Sequence, residues 1–570
     1  MKIPVSIPFE SFRIRFIDVV VFLFLCGVFE LVVYIASQWS YPVERALEID
    51  LNPKNIPFYA AQSLVRMALA YLLSLVFSIW YGYTASRSKM HERIMIPLLD
   101  ILQSIPVLSF LPAVVLAMIN LFPGQRIGIE MACILLIFTG QVWNMTFSYY
   151  HSINTIPREF REVAVVFGFN RFSKFLRIDL PASAIGLIWN SMMSVAGGWF
   201  FLMACEMFVL EDRDFRLPGI GSYIQMAASQ GNMRYILYGL AAMVAMIVIL
   251  DVLIWRPLIV WSQRFRMDNI PPESERESIV LDFINTSVVM QKIGGLISDC
   301  IDWFEKSTYK LPSPRFGRIF QWLGKLTGFL ELIAIGVVFI WALAKVKGLV
   351  SSVSFQDILT ILEASCYSFA RTSVAILLAL LWTLPVGVYI GMNPKAASVL
   401  QGIVQIAASI PATAVFPIII LFLIRLGGGL DIGAIFLMLL GTQWYLLFNI
   451  IAGASAIPKD LIEITKAYNI TGWRRWRVLI LPSIFPYLVT GLITASGGAW
   501  NATIVSEYVS FGGTIMRTKG LGALISQSSA AGDFGLLFVS TCVMAAIVVG
   551  MNRLLWKRLF YIAKTKYVLE

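Results

Sequence analysis

Residues 153–181 read INTIPREFREVAVVFGFNRFSKFLRIDLP, and residues 454–482 read ASAIPKDLIEITKAYNITGWRRWRVLILP. Both stretches are polar and basic, and both lie between long apolar runs. Glu162 matches Glu463 and Pro181 matches Pro482, each at an offset of 301 residues. A loop that returns in register half a chain later predicts an internal repeat whose two copies carry the same interaction site.

The composition is that of a membrane protein. The 570 residues are 58% hydrophobic and 14% charged, whereas soluble domains carry roughly a quarter charged residues. The mean hydropathy is +0.77. Apolar runs of about 20 residues, the length that crosses a bilayer core as a helix, recur along the chain. We therefore predict an all-α polytopic membrane protein.

The apolar runs predict about twelve transmembrane helices, six in each half. In the first half they lie near residues 17–37, 60–85, 94–120, 127–150, 185–210 and 233–261. In the second half they lie near residues 327–344, 363–391, 397–424, 430–452, 485–508 and 534–560. The first run follows two arginines, as a signal peptide would. It is too long for a typical signal and lacks a clear cleavage site, so we interpret it as an uncleaved span.

Lysine and arginine gather in alternate loops. These loops are residues 86–93, residues 153–181, the central linker, residues 393–395, residues 454–482 and the C-terminal tail. Because cytoplasmic loops carry an excess of basic residues, the pattern predicts that both termini are cytoplasmic. The same pattern explains the formal charge of +11 without a nucleic-acid partner.

The match between the halves extends beyond the two loops. Matched pairs include Ser63/Ser368, Arg66/Arg371, Trp199/Trp500, Glu206/Glu507, Gly219/Gly520 and Gly221/Gly522. The offset falls from 305 to 301 between Pro112 and Gly140, where the first half has four extra residues. Because each half has an even number of spans, the two six-helix repeats are parallel. We assign residues 1–262 to the first half, 263–326 to a cytoplasmic linker and 327–570 to the second half.

The linker mixes both signs of charge. Apolar residues recur in it at near-helical spacing, interrupted by Gly294 and Gly295. Two interpretations are open: two short amphipathic helices that lie on the membrane surface or against a partner, or a plain tether between the halves.

The backbone of the repeated loop can be predicted from three residues. Pro157 suits the first turn of a short helix, and Gly168 suits a left-handed residue that ends it. Asn469 stands at the matching position of the second copy, and asparagine is the next residue that tolerates a positive φ. Each copy therefore predicts a helix, a sharp turn and a basic second helix that returns to the membrane.

The sequence carries no motif for chemistry of its own. No GxxxxGKS/T stretch occurs, so that phosphate-binding loop is missing. The six cysteines show no CxxC spacing, and His91 and His151 are the only histidines. Neither a zinc site nor a catalytic residue is predicted.

Each loop resembles a motif of a known family. The residues EVAVVFG…IDLP are similar to the EAA loop of ABC-importer permeases, in which EAA is followed by three residues, G, nine residues, I, one residue and LP. The segments AWNATIVSEYV and KGLGALI are similar to the nitrate/sulfonate/taurine branch of that family. Most relatives supply each permease half as a separate chain, whereas both halves are fused here. The resemblance implies the type I ABC-importer permease fold.

In such permeases the EAA loop forms a coupling helix that sits in a groove of an ATP-binding subunit. The resemblance therefore implies that the ATPase-coupling segments contain Glu162, Ala164, Gly168, Glu463, Thr465 and Asn469. We expect the small Ala164 to approach the partner closely, and the bulkier Thr465 to weaken the second contact.

The resemblance also implies partners and a location. Two ATP-binding subunits would hold ATP and Mg²⁺ on the cytoplasmic side, so this chain would need no cofactor and would not be an enzyme. An extracytoplasmic binding protein would deliver a small anion such as nitrate, a sulfonate or bicarbonate. The implied location is the bacterial cytoplasmic (inner) membrane.

Several charged and aromatic side chains lie inside predicted spans. These candidates for the transport pathway are Arg66, Arg371, Glu206, Glu507, Trp199 and Trp500. Charge at such depth is costly and often functional. Two roles are open for the arginines: attraction of an anionic substrate, or a structural role in which they snorkel or pair with the two glutamates. For the remaining candidates, pathway lining and helix packing are both open.

Two other functions remain as alternatives. An ion-coupled secondary transporter can also have twelve spans in parallel halves, but such proteins use buried Asp, Glu or His relays, which are scarce here. A membrane scaffold or sensor would leave both loops unexplained. Copurification of ATP-binding subunits distinguishes the three functions.

Overall fold

The computed structural model describes most of the chain. The described residues are 49–104, 106–207, 209–210, 213–214, 216–265, 278–310, 350–425, 429–511 and 514–566, with residue 348 and scattered residues between 19 and 39. The span predicted near 327–344 therefore lies outside the described residues, and more than half of the span near 17–37 also lies outside them.

Helices form nearly all of the described chain. In the first half they are Ile56–Ser86, Lys89–Ser104, Leu111–Leu121, Ile127–Asn154, Arg158–Val166, Leu180–Glu206, Ile220–Ser229 and Met233–Leu250. In the linker they are Ile279–Thr286 and Val288–Lys310. In the second half they are Phe355–Met392, Pro394–Ser409, Ala412–Arg425, Leu430–Ser455, Lys459–Ala467, Leu481–Ser506, Leu521–Ala530, Phe534–Met551 and Lys557–Lys566. Among the described residues, eight helices are long and apolar enough to cross a membrane. The predicted fold class is confirmed.

Two predicted spans are broken rather than continuous. In the run near 94–120, the helix ends at Ser104 and a short 3₁₀ turn, Val107–Phe110, precedes the next helix. In the run near 397–424, two helices meet at an angle of 76°. Both breaks fall at a Ser-Ile-Pro sequence, because proline lacks an N–H group and forces the residue before it out of the helical conformation.

Four single π-helical turns repeat between the halves. They are Phe175–Asp179, Asp251–Trp255, Trp476–Ile480 and Asn552–Trp556. In the first turn the Leu180 amide bonds to the Phe175 carbonyl, five residues back, directly before Pro181. Proline excludes the ordinary i−4 bond, and prolines follow three of the four turns; Arg558 follows the last, so proline does not explain that one.

Two short antiparallel hairpins were not foreseen from the apolar runs. Val209–Leu210 pairs with Arg213–Asp214 in the first half. Tyr508–Phe511 pairs with Thr514–Arg517 in the second half. Each hairpin follows a long helix that ends near a matched glutamate, Glu206 or Glu507. The predicted spans near 185–210 and 485–508 therefore end a few residues earlier than expected.

The described residues fall into two compact units. The first contains residues 151–189 and 249–310, and the second contains residues 49–150, 190–248 and 350–566. The second unit has an apolar core that includes Trp500, Leu521 and Met544. The proposed boundaries of the two halves and the linker stay a prediction.

Candidate functional site

We call residues 153–181 the first docking loop and residues 454–482 the second docking loop. In each loop a proline, Pro157 or Pro458, directly precedes a nine-residue helix, either Arg158–Val166 or Lys459–Ala467. A second, basic helical stretch then leads into a long membrane helix. The predicted order of helix, turn and basic helix is confirmed in both loops.

The turn after each helix has the predicted left-handed residue. Gly168 has φ of 63°, and Asn469, with φ of 51°, is the one non-glycine residue with positive φ in the described part of the chain. The amide of Phe169 bonds to the carbonyl of Ala164 at 2.9 Å, and the amide of Ile470 bonds to that of Thr465 at 2.8 Å. These bonds form Schellman caps, which satisfy carbonyls at the end of a helix.

The small residue of the first docking loop faces inward. Ala164 is buried and packs against Ile156 and Ile178. Thr465 is also buried, and its Oγ1 donates to the Ile462 carbonyl at 2.8 Å. The expectation that Ala164 approaches a partner directly is therefore wrong, because the loop's own core uses this position. The coupling role of the loops as a whole stays a prediction.

Each docking loop exposes other side chains to solvent. Glu162 and Glu463 are exposed. In the first loop, Val165 and Val166 are 80% and 82% exposed, and Phe167 beside them is also exposed. The second loop exposes large side chains too, including Ile464, Tyr468 and Trp473. Apart from Trp473, these apolar side chains lie outside the helices that are long and apolar enough to cross a membrane.

The first-half charge cluster contains Ser63, Arg66, Glu130 and Glu206, all of them buried. Arg66 Nε and Nη2 donate to the two carboxylate oxygens of Glu130 at 2.5 and 2.8 Å. Its Nη1 donates to Glu206 Oε1 at 2.8 Å and to the Pro218 carbonyl at 2.8 Å. A single buried guanidinium thus links two buried carboxylates, which fits the requirement that buried charges be paired.

Glu206 accepts further hydrogen bonds, one from the start of the helix Ile220–Ser229 and one from the helix Ile56–Ser86. Its Oε2 accepts from the Gly221 amide at 2.8 Å, and its Oε1 accepts from the Ser63 hydroxyl at 2.6 Å. The amides at a helix N-terminus carry partial positive charge, so this position stabilises a carboxylate. Gly219 passes so close that a Cβ there would lie 2.2 Å from the Glu206 carboxylate.

The second-half charge cluster, of Ser368, Arg371, Asp431 and Glu507, repeats this arrangement. Arg371 Nη1 donates to Glu507 Oε1 at 3.1 Å, and its Nη2 donates to Asp431 Oδ1 at 2.5 Å. Glu507 Oε2 accepts from the Gly522 amide at 2.9 Å. Thr518 lies between Arg371 and Asp431, accepting from the first and donating to the second.

The two clusters differ in burial. The Glu130 side chain is 1% exposed, whereas the Asp431 side chain is 74% exposed. Glu507 is fully buried, so Arg371 joins one buried carboxylate to one that remains in contact with water. The carboxylates of the second-half cluster therefore depend less on Arg371 for neutralisation of their charge than those of the first-half cluster depend on Arg66.

Glu130 and Asp431 were missed by the sequence analysis. Glu130 and Asp431 match at an offset of 301, as Glu206 and Glu507 do, and this shared offset is the sequence signal that could have found them. Trp199 and Trp500 are also buried, so none of the six pathway candidates lies on an open surface in this structure. Their assignment to the pathway stays a prediction.

Among the described residues, no group of three or more His, Cys, Asp or Glu side chains is placed to hold a metal ion. The six cysteines are all free thiols. The two charge clusters and the two docking loops are thus the features that carry a functional argument.

A family model described as the binding-protein-dependent transport system inner membrane component matches residues 64–256 and 383–556. The chain belongs to this family. The family pattern occurs twice, once in each half of the chain. This double match agrees with the repeat of the docking loops and the charge clusters. The resemblance to ABC-importer permeases is confirmed.

Individual relatives of this family member match about one third of the chain. It is 27% identical over 191 residues to the bicarbonate transport system permease protein CmpB of Synechocystis, a match that covers 34% of this chain and 63% of the relative. It is 23% identical over 198 residues to the nitrate import permease protein NrtB of Leptolyngbya laminosa, covering 35% and 66%. The taurine transport system permease protein TauC of Escherichia coli is 24% identical over 182 residues, covering 32% and 60%. The matches thus span a little under two thirds of the length of these relatives.

Proposed function

We propose that this ABC permease carries both halves of an importer's substrate pathway and couples them to two separate ATP-binding subunits. The observation that supports the coupling is the repeat of one docking loop, with the same backbone and the same left-handed turn, in both halves. Two attachment points with the same backbone suit a pair of partner subunits.

The exposed apolar side chains of the loops support a protein partner. Val165 and Val166 are each at least 80% exposed, on a loop that also exposes charged side chains such as Arg161 and Glu162. Clustered apolar surface of this kind marks protein or membrane contacts. Since basic loops lie on the cytoplasmic side, the partner would be a cytoplasmic ATP-binding subunit. ATP and Mg²⁺ would be bound there, because this chain has no phosphate-binding loop of its own.

The proposed substrate is a small anion delivered by an extracytoplasmic binding protein. The relatives named above are described as permeases for bicarbonate, nitrate and taurine. The buried arginines do not by themselves support anion binding, because Arg66 already pairs with two carboxylates. The geometry favours a structural role for Arg66 and Arg371, so the residues that select the anion lie elsewhere on the pathway.

The alternative of an ion-coupled secondary transporter finds less support. Such a transporter needs a buried carboxylate or histidine that gains and loses protons or binds cations. The buried carboxylates Glu130, Glu206 and Glu507 are each paired with an arginine, and the buried Asp179 lies 3.5 Å from the Lys174 ammonium group. The repeated docking loops would also have no role in that mechanism.

The direct test is copurification and ATP hydrolysis. The tagged chain, expressed with ATP-binding subunits from the same organism, should retain two of them per permease. In proteoliposomes the binding protein loaded with nitrate, bicarbonate or taurine should stimulate ATP hydrolysis. Retention of no ATP-binding subunit by the intact chain would overturn the proposed function.

The two docking loops should respond differently to changes at their left-handed residues. Gly168→Val should weaken subunit retention and stimulated ATP hydrolysis, because a left-handed conformation costs about 1–2 kcal/mol for ordinary residues and β-branching adds to that cost. A Cβ at Gly168 would meet nothing within 4 Å, so the effect comes from the backbone alone. Asn469→Gly should be neutral or mildly stabilising, because glycine adopts this conformation freely.

Gly168→Asn is the matched control, since it installs the residue that the second loop already has. It should retain nearly normal coupling. A tolerated Gly168→Val together with a damaging Asn469→Gly would show that Asn469 makes a specific contact with the partner, and would contradict the backbone argument.

We also propose that both termini and the linker are cytoplasmic. The basic loops support this orientation. Cysteines introduced at Asp282 in the linker and at Thr565 in the tail, both exposed, should react with a membrane-impermeant maleimide only after the membrane is opened. Gln125→Cys, in the exposed turn between the helices Leu111–Leu121 and Ile127–Asn154, should react in intact cells. Labelling of the first two positions in intact cells would refute the orientation.

A further inference from the structure

The linker is attached to the first docking loop by an ion pair. Arg177 Nη2 donates to Glu305 Oε2 at 2.7 Å, and Arg177 Nε donates to Glu305 Oε1 at 3.0 Å. Asp302, one turn earlier on the linker helix Val288–Lys310, lies 3.9 Å from the same guanidinium. Fork-to-fork pairing of this kind is among the stronger hydrogen-bonded ion pairs, and it fixes orientation as well as distance.

The environment of Glu305 shows that this contact is built into the structure. Its side chain is only 10% exposed, although the linker helix is otherwise largely exposed. The hydrogen bonds from Arg177 hold the pKa of the Glu305 carboxyl below its usual value. The carboxylate is therefore charged at neutral pH and remains available to hold the loop.

The second docking loop differs at the matching positions. Val478 stands where the first loop has Arg177, and Ile480 stands where the first loop has the buried Asp179. Ile480 packs instead into an apolar core with Leu446 and Ile457. The first loop thus adds charged contacts with the linker to its own apolar core, whereas the second loop uses apolar packing at the matching positions.

The grouping of residues into compact units agrees with this contrast. The first docking loop belongs to the same unit as the linker helix, whereas the second docking loop belongs to the unit that contains the second-half membrane helices. Within the described residues, the two loops therefore have different supports, despite their matching backbones.

We propose that the linker helix Val288–Lys310 is a positioning element of the first docking loop, acting through the Arg177–Glu305 pair, so that the two ATP-binding subunits dock on non-equivalent sites. This inference rests on the proposed function of the loops. The linker sets the position of the first loop, and the membrane helices set the position of the second. A change in the linker therefore alters docking at one site only.

The test is a titration of the ATP-binding subunit onto the intact permease in lipid nanodiscs. The native chain should bind two subunits with two different affinities. Glu305→Arg should weaken one site about threefold to tenfold and leave the other unchanged, as expected for a partly exposed ion pair. The charge swap Arg177→Glu with Glu305→Arg should restore the weakened site, which a purely structural defect would not allow.

Asp299→Asn, an exposed change on the same linker helix, is the control and should leave both sites unchanged. Unchanged binding in Glu305→Arg, equal weakening of both sites, or failure of the charge swap to restore binding would each overturn the proposal. If Glu305→Arg does not fold, the charge-swap variant decides alone: native-like titration supports the proposal, and impaired titration overturns it.

The outcomes separate this inference from the proposed function. If the native chain binds no ATP-binding subunit, the proposed function fails. If Gly168→Val weakens binding while Glu305→Arg does not, the docking role stands and the role of the linker is wrong.

Discussion

Arg66→Met should give one of the largest losses of stability in this chain, about 3–5 kcal/mol. The change removes the one cation that links Glu130 and Glu206, both of which are fully buried. A buried carboxylate without its partner must either be charged in a medium of low polarity or take up a proton, and both are costly. The expected result is a lower thermal unfolding midpoint and a reduced yield of detergent-solubilised protein.

The repeat supplies a matched comparison. Arg371→Met should cost about 1–3 kcal/mol, because Asp431 can be hydrated once the arginine is gone, and only Glu507 is left buried without it. Adding Glu130→Gln and Glu206→Gln to Arg66→Met should recover part of the loss by removing the unpaired charges. Native-like stability of Arg66→Met, or a larger loss of stability in Arg371→Met, would show that the buried carboxylates do not depend on Arg66 in this way. Weaker transport by a fully stable Arg66→Gln would instead support a role in substrate attraction.

The second large effect is expected at the glycines that face the buried glutamates. Gly219→Ala would place a Cβ 2.2 Å from the Glu206 carboxylate, and Gly520→Ala would place one 2.2 Å from Glu507. Both glycines have φ of −175°, which alanine also adopts, so the cost is steric. Overpacking costs about 1–3 kcal/mol. Displacement of the carboxylate from its arginine adds to this, so each change should cost about 3 kcal/mol or more.

Gly497→Ala is the control for these two variants. A Cβ at Gly497 would meet nothing within 4 Å, and the residue lies inside the helix Leu481–Ser506. Alanine should be neutral there or more stable by about 0.5–1 kcal/mol. Thermal unfolding of the three purified variants is the measurement. If Gly219→Ala unfolds at the same temperature as the native chain, the close approach of Gly219 to the Glu206 carboxylate is not important for stability.

The backbone of the docking loops was predictable from sequence because it depends on single residues. A glycine and an asparagine at matching positions indicate positive φ, and the structure has positive φ at Gly168 and Asn469. The direction in which Ala164 points was not predictable, because it depends on the later residue Ile178, which folds back onto the helix. Local conformation could be derived from sequence, whereas the choice between inward and outward faces required the tertiary fold.

The charge clusters, too, were predictable from sequence only in part. The pairing of an arginine with Glu206 or Glu507 was one of two open interpretations. Glu130 and Asp431 were overlooked because they lie near the point where the offset between the halves changes, and because the two residues are similar rather than identical. The breaks at Ser-Ile-Pro were hidden for another reason: hydropathy measures how apolar a stretch is and does not register a missing amide.

In the second half, the docking loop and the charge cluster are joined by one continuous helical segment. Gly472–Ser506 contains 35 residues, which corresponds to about 50 Å at the usual rise per residue. Glu507 directly follows this segment, and its carboxylate is held by Arg371 from a different helix. A helix resists compression along its axis, so a displacement of the second docking loop along this axis would also displace Glu507, which Arg371, Ser368 and the Gly522 amide hold at the far end of the segment.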